Sequence, residues 1–143
     1  MSEVVSNPLY KQESYEVMGA CFEVYKEMGA GFVEPIYHEC LERDLELRGI
    51  PFIHHPGLAL AYKGQPLKLS YQADFVTHSK IVLEVKAVKR LEDAHRAQLL
   101  NYLKATGFQL GLLVNYGRLG GLEWERIVLS EWIANQSKVP DLT

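Results

Sequence analysis

LSYQADFVTHSKIVLEVKAV, residues 69–88, decides how this chain folds. It divides into two extended runs around His78-Ser79-Lys80, and side chains along a strand point alternately to opposite faces. Glu84 and Lys86 therefore share one face of the second run, while Leu83, Val85 and Ala87 occupy the other. If Thr77 pairs with Ile81, every opposed pair keeps the same sum, and Asp74 falls opposite Glu84. Opposed residues stand about 4.5–5.5 Å apart at Cβ, where like charges destabilise. Two carboxylates so placed on apolar strands invite a shared proton or a divalent cation. A solvated hairpin in which Lys86 offsets both acids satisfies the same pattern, and the residues alone leave the two readings open.

Outward from this hairpin the period changes. Val17, Cys21, Val24 and Met28 recur at helical spacing over residues 13–28, and Gly29-Ala30-Gly31 stops that helix. A second helix is expected from Glu34-Pro35 to Arg48, with Ile36, Tyr37, Cys40, Leu41 and Leu45 inward and Gly49 and Pro51 closing it. Glu34 in its first turn also offsets the partial positive charge of the free amides there.

Residues 51–61 read as a strand broken or edged by Pro56, with His54 and His55 expected on opposite sides and so unable to share a metal. Lys63-Gly64-Gln65-Pro66 is a turn. Beyond the hairpin, residues 91–105 return to helical spacing, with Leu99, Leu100 and Leu103 on one side and Gln98 and Tyr102 together on a neighbouring stripe. Residues 110–114 form a fully apolar strand, residues 122–129 a last strand, and residues 130–143 a short helix or tail. The order is two helices, about four strands, a helix and two strands. A crossover through residues 91–105 makes the strands on either side of it parallel, giving an α/β fold with a mixed sheet flanked by helices.

With 143 residues, 48% of them hydrophobic, the chain reads as one domain spanning residues 1–143. No run approaches the roughly 18 apolar residues of a membrane span, and residues 1–7 do not read as a signal peptide, so no membrane partner and a cytoplasmic location are expected. Cys21 and Cys40 lie on apolar helical stretches and read as reduced, packed thiols. The net charge of -3 hides an asymmetry: residues 1–49 hold 4 basic and 10 acidic side chains, whereas residues 50–118 hold 9 and 4. The stretch containing Asp74, Glu84 and Lys86 is thus locally basic, a bias that suits a polyanion as well as an ordinary solvated surface. Tyr71, Tyr102 and Tyr116 near it read as core rather than as platforms for bases.

Taken together, an acid on an early helix, Asp74, Glu84-Val85-Lys86, and Gln98 with Tyr102 resemble the PD-(D/E)XK nuclease superfamily. More closely, Gly31-Phe32-Val33-Glu34-Pro35-Ile36-Tyr37 resembles the G-x-x-E-x-x-Y signature of the GxxExxY family, as do Gln72-Ala73-Asp74-Phe75, Ala97 to Leu103 and Gly111 to Asn115. The resemblance covers residues 16–129, with Ala73 where the superfamily name has proline and with Pro35 an unusual neighbour for Glu34.

It implies a restriction-endonuclease-like core and a metal-dependent phosphodiesterase. Asp74, Glu84 and the backbone carbonyl of Val85 would hold Mg²⁺ or Mn²⁺, and Glu34 would reach the ion directly or through water. Lys86 would orient or deprotonate the attacking water, with Gln98 and Tyr102 in support. The implied partner is nucleic acid, DNA or RNA, with a homodimer left open. A nuclease-like module that binds nucleic acid or protein without cleaving is the alternative.

Overall fold

The structure is a computed structural model that describes residues 8–136. It opens with two helices, α1 (Lys11–Met28) and α2 (Glu34–Leu47). Val17, Ala20, Cys21 and Val24 form the inner side of α1, and Tyr37, Leu41 and Leu45 that of α2. Seven short strands follow: β1 (Phe52–His54), β2 (Gly57–Leu58), β3 (Ala61–Tyr62), β4 (Gln65–Pro66), β5 (Tyr71–Gln72), β6 (Phe75–Thr77) and β7 (Ile81–Lys86). Helix α3 (Asp93–Thr106), strands β8 (Leu110–Asn115) and β9 (Glu123–Val128), and helix α4 (Leu129–Gln136) complete the chain.

Five strands make the main sheet in the order β1-β6-β7-β8-β9. Every neighbouring pair is antiparallel except β7 and β8, which run parallel as the crossover through α3 requires. Ile81, Leu83 and Val85 of β7 pack with Leu110, Leu112 and Val114 of β8 beneath α1 and α2. Val82 and Leu113 face the opposite way, with Leu99 and Leu103 of α3 and Leu129 at the start of α4. The central strands are buried on both faces, which explains their unbroken apolar run. Helix α3 sits so close to β8 that a Cβ at Gly111 would come within 2.9 Å of the Leu99 side chain.

Between α2 and α3 there are seven strands where the sequence reading has about four. The segment after Phe52 breaks because His55 adopts a left-handed backbone with φ 56° just before Pro56. Two small pairs, β2 with β5 and β3 with β4, then stand apart from the main sheet. The first arm of the hairpin is likewise split. Phe75↔Leu83 and Thr77↔Ile81 follow the expected register, but the ladder ends one residue short of Asp74. There the Asp74 carbonyl accepts the His55 amide at 2.9 Å and the chain bends away. The readings of residues 1–7 and 137–143 fall outside the described residues. Cys21 and Cys40 are both free thiols, and no described helix is long and apolar enough to cross a membrane.

Candidate functional site

The polar side chains of β7 lie on its α3 side, at the end where the strand leaves the core. Glu84 is 7% exposed, and its Oε1 is buried with no hydrogen-bond partner among the described residues. Burial pushes its carboxyl up to about 7, Glu34 adds to the rise, and Lys86 and the Asp74 backbone oppose it. A buried carboxylate oxygen without a hydrogen bond is stabilised by a cation or by a proton.

Around Glu84 is a pocket of about 430 Å³ lined by Asp74, Lys86, Gln98 and Tyr102, with Tyr71 and Gln72 at its side. The Asp74 carboxylate is fixed from β7, its Oδ2 accepting the Val85 amide at 2.7 Å. Lys86 Nζ donates to Gln98 Oε1 at 3.5 Å, and Gln98 Nε2 donates to the Tyr102 hydroxyl at 3.1 Å. Positions 98 and 102 are one helical turn apart on α3, so the helix delivers both to the same end of the sheet. The Tyr102 ring in turn stacks on Tyr71.

Asp74 also borders a second pocket of about 300 Å³, lined by Glu34, His38, Glu42, His54 and His55. Glu34 is the first residue of α2, and its Oε1 lies 3.4 Å from His38 Nε2, one turn on. Pro35 occupies the first turn after an extended Val33 and leaves Glu34 directed into this pocket. The turn before it is held by Tyr37, whose hydroxyl donates to the Gly29 carbonyl at 2.6 Å and accepts the Phe32 amide at 3.1 Å. Tyr37 is fully buried and stacks on Tyr116 at 4.4 Å between ring centroids. The G-x-x-E-x-x-Y spacing thus has a mechanical meaning: the tyrosine ties the glycine turn that aims the glutamate.

The pair His54 and His55 departs from the alternation expected of a strand. Because His55 has left the extended region, its ring turns back and stacks on His54 at 3.8 Å. Both lie beside His38, and one ligand atom from each of the three falls within 4.8 Å of the others. Burial lowers the His54 pKa below its ordinary value and favours the neutral ring.

Five of the residues singled out in the sequence, Asp74, Glu84, Lys86, Gln98 and Tyr102, converge on one pocket. Glu34 stands in the adjoining one, with Asp74 common to both. Val85 inserts its side chain into the core and gives its amide to Asp74. His38 and Glu42 were not foreseen, although Glu34-x-x-x-His38 is a readable same-face helical spacing. Nor was Asn115 assigned a role. Its fully buried side chain accepts the Val88 amide at 2.8 Å, donates to the Val88 carbonyl at 2.8 Å, and clasps the chain just beyond Lys86.

A family model described as the PD-(D/E)XK nuclease superfamily matches residues 11–127. The chain belongs to this superfamily. Among solved structures, the crystal structure of SSO0001 is similar, with a TM-score of 0.53 and 19% identity over 92% of this chain and 68% of that one. The alkaline exonuclease LHK-Exo from Laribacter hongkongensis is also similar, with a TM-score of 0.51 and 12% identity over 96% of this chain and 77% of the exonuclease. No curated protein sequence matches the chain. At such identities the structural likeness speaks for the fold, which is restriction-endonuclease-like: a mixed five-stranded sheet flanked by helices. PD-(D/E)XK nucleases typically use divalent metal ions. The residues present fit one, because Glu84 Oε1 is bare and buried while Asp74 stands in the same pocket.

Proposed function

We propose that this PD-(D/E)XK protein is a divalent-metal-dependent phosphodiesterase of the GxxExxY family, acting on DNA or RNA, with residues 1–143 as one domain. The observation that carries the reading is the bare, buried Oε1 of Glu84 in a pocket shared with Asp74 and Lys86. Asp74, Glu84 and the Val85 carbonyl would hold Mg²⁺ or Mn²⁺, a set matched to the few carboxylates that Mg²⁺ ordinarily takes from protein. When bound, the ion neutralises charge developing on the phosphoryl oxygens and lowers the pKa of a bound water.

The chain's own groups do the rest. Lys86 presents an amine to the attacking water, orienting it or taking its proton. Gln98 holds that amine in place, and Tyr102 holds Gln98. Glu34 would reach the ion directly or through a water. The phosphate chain is drawn by the local excess of Lys and Arg, with exposed Lys89 and Arg90 just past β7.

Cleavage of end-labelled single- and double-stranded DNA and RNA, with and without Mg²⁺, tests this. The expected result is metal-dependent hydrolysis that Lys86→Ala and Glu84→Gln abolish. Hydrolysis that survives both substitutions would refute the site. Binding without turnover by the intact chain would assign the protein to the non-cleaving alternative.

A further inference from the structure

Two buried polar atoms at the Glu84 pocket have no hydrogen-bond partner among the described residues, and they are opposite in kind. Glu84 Oε1 is an acceptor, whereas the Tyr71 hydroxyl carries a hydrogen to give. Tyr71 is 8% exposed and lines the same pocket as Asp74, Glu84 and Lys86.

Nothing in the packing calls for that hydroxyl. The Tyr71 ring is buried among apolar side chains, Ala73, Val76, Val82, Leu99 and Leu103 with it, where phenylalanine would serve as well. Nor can the ring swing out to solvent, because Tyr71 pairs with Leu58 in the β2–β5 ladder and stacks on Tyr102 at 3.2 Å between centroids. A buried hydroxyl without an acceptor costs stability. Tyr102 differs in this respect. Its hydroxyl already accepts Gln98 Nε2 at 3.1 Å, and the residue is only half-buried, so solvent can take its hydrogen.

A phosphodiester accompanied by its cation meets both needs at once. The cation offsets Glu84, and a phosphoryl oxygen, negatively charged and rich in lone pairs, accepts from Tyr71. Hydrogen bonds to a charged oxygen are among the stronger ones.

We propose that the Tyr71 hydroxyl is a substrate-binding group, donating to a non-bridging phosphoryl oxygen of the nucleic acid in the Glu84 pocket. The inference rests on the nuclease reading for its ligand and adds to it a neutral donor from β5, on the opposite side of the sequence hairpin's turn from Glu84 and Lys86. Tyr71 thus remains a core residue by its ring and contacts substrate by one atom.

The experiment compares wild type with Tyr71→Phe, which keeps the ring and its stack. Melting of the free chain comes first: the variant should melt no lower than wild type, since it loses a hydroxyl that bonds nothing in the fold. A lower melting temperature would show an internal partner and overturn the proposal. Labelled DNA and RNA oligonucleotides in Mg²⁺ come next, followed by cleavage rate and by fluorescence anisotropy. Tyr71→Phe should lower kcat/KM at least roughly tenfold. Uniform phosphorothioate oligonucleotides of one diastereomer, Rp or Sp, then read the contact itself, because sulfur accepts hydrogen bonds poorly. One diastereomer should weaken wild type much more than it weakens Tyr71→Phe. Equal sulfur effects in the two proteins for both diastereomers, or wild-type kcat/KM in Tyr71→Phe, would overturn the proposal and leave the nuclease reading standing. A wild type that binds these oligonucleotides without cleaving them would defeat the nuclease reading instead, and a weaker, sulfur-insensitive dissociation constant in Tyr71→Phe would still uphold the contact. Absence of both binding and cleavage by wild type would end both.

Discussion

Asp74 and Val85 are joined by a hydrogen bond of 2.7 Å from the amide of one to the carboxylate of the other, although the strand ladder between their segments has already ended. A side chain thus does the work of a missing backbone pair. Asn can accept the same amide hydrogen bond, so charge and structure are separable here. Asp74→Asn is expected to keep stability within about 1 kcal/mol while abolishing metal-dependent cleavage. Asp74→Ala should lose both, with about 1–2 kcal/mol of stability gone with the hydrogen bond. Thermal melts beside cleavage assays check this, and equal melting temperatures for the two variants would contradict it.

Glu84 makes stability depend on pH in the metal-free protein. Its folded pKa of about 7 lies above the ordinary 4.5, so the folded state holds the proton more tightly than the unfolded chain does. Its favourable contribution is complete below about pH 4.5 and is lost as the pH rises through 7. At about 1.4 kcal/mol per unit, ionising it at pH 8 costs on the order of 3 kcal/mol. Glu84→Gln should therefore melt higher than wild type at pH 8 in chelator, and the two should converge near pH 4.5. A constant difference across that range would count against the buried-acid account.

The hairpin illustrates what is legible in sequence and what is not. Period-two alternation and a conserved sum across the turn fix the Phe75↔Leu83 register and bring Glu84 and Lys86 to one face. Helical spacing on α3 then supplies Gln98 and Tyr102. These features are local, and each follows from a short-range repeat. His54 and His55 are different, because one left-handed residue at φ 56° overrides the strand period, and the bend at Asp74 depends on a carbonyl pairing with a residue far back in the chain. Asn115 likewise looks like one more residue at the end of an apolar strand until Val88 comes to rest against it.

The contact from Lys86 to Gln98 is expected to serve chemistry rather than folding. Gln98→Leu should leave stability within about 0.5 kcal/mol, as for exposed positions generally, while lowering the cleavage rate and changing its pH profile by freeing the Lys86 amine. Gln98→Glu should restore the contact to Lys86. Unchanged kinetics in Gln98→Leu would remove Gln98 from the positioning role.

Tyr37→Phe keeps the ring that stacks on Tyr116 and deletes only the hydroxyl between the Gly29 carbonyl and the Phe32 amide. A loss of about 1–3 kcal/mol is expected from the orphaned backbone groups. Faster hydrogen exchange should appear at the Phe32 amide, with weakened metal affinity because the aim of Glu34 is relaxed. Exchange as slow as in wild type would show that the turn is held by other means.

The parallel pairing of β7 with β8 also shapes how the chain comes into being. Strand β7 carries Ile-Val-Leu-Glu-Val, apolar enough to be buried on both faces, yet its second neighbour lies beyond the whole of α3. Until residues 110–115 arrive, that strand is an open edge of the kind other chains pair with. During synthesis the most adhesive segment thus emerges well before its cover, and the Glu84 carboxylate that interrupts it is a charge on that edge before it is buried. The same acid that burdens the finished fold is, for the nascent chain, a guard against aggregation.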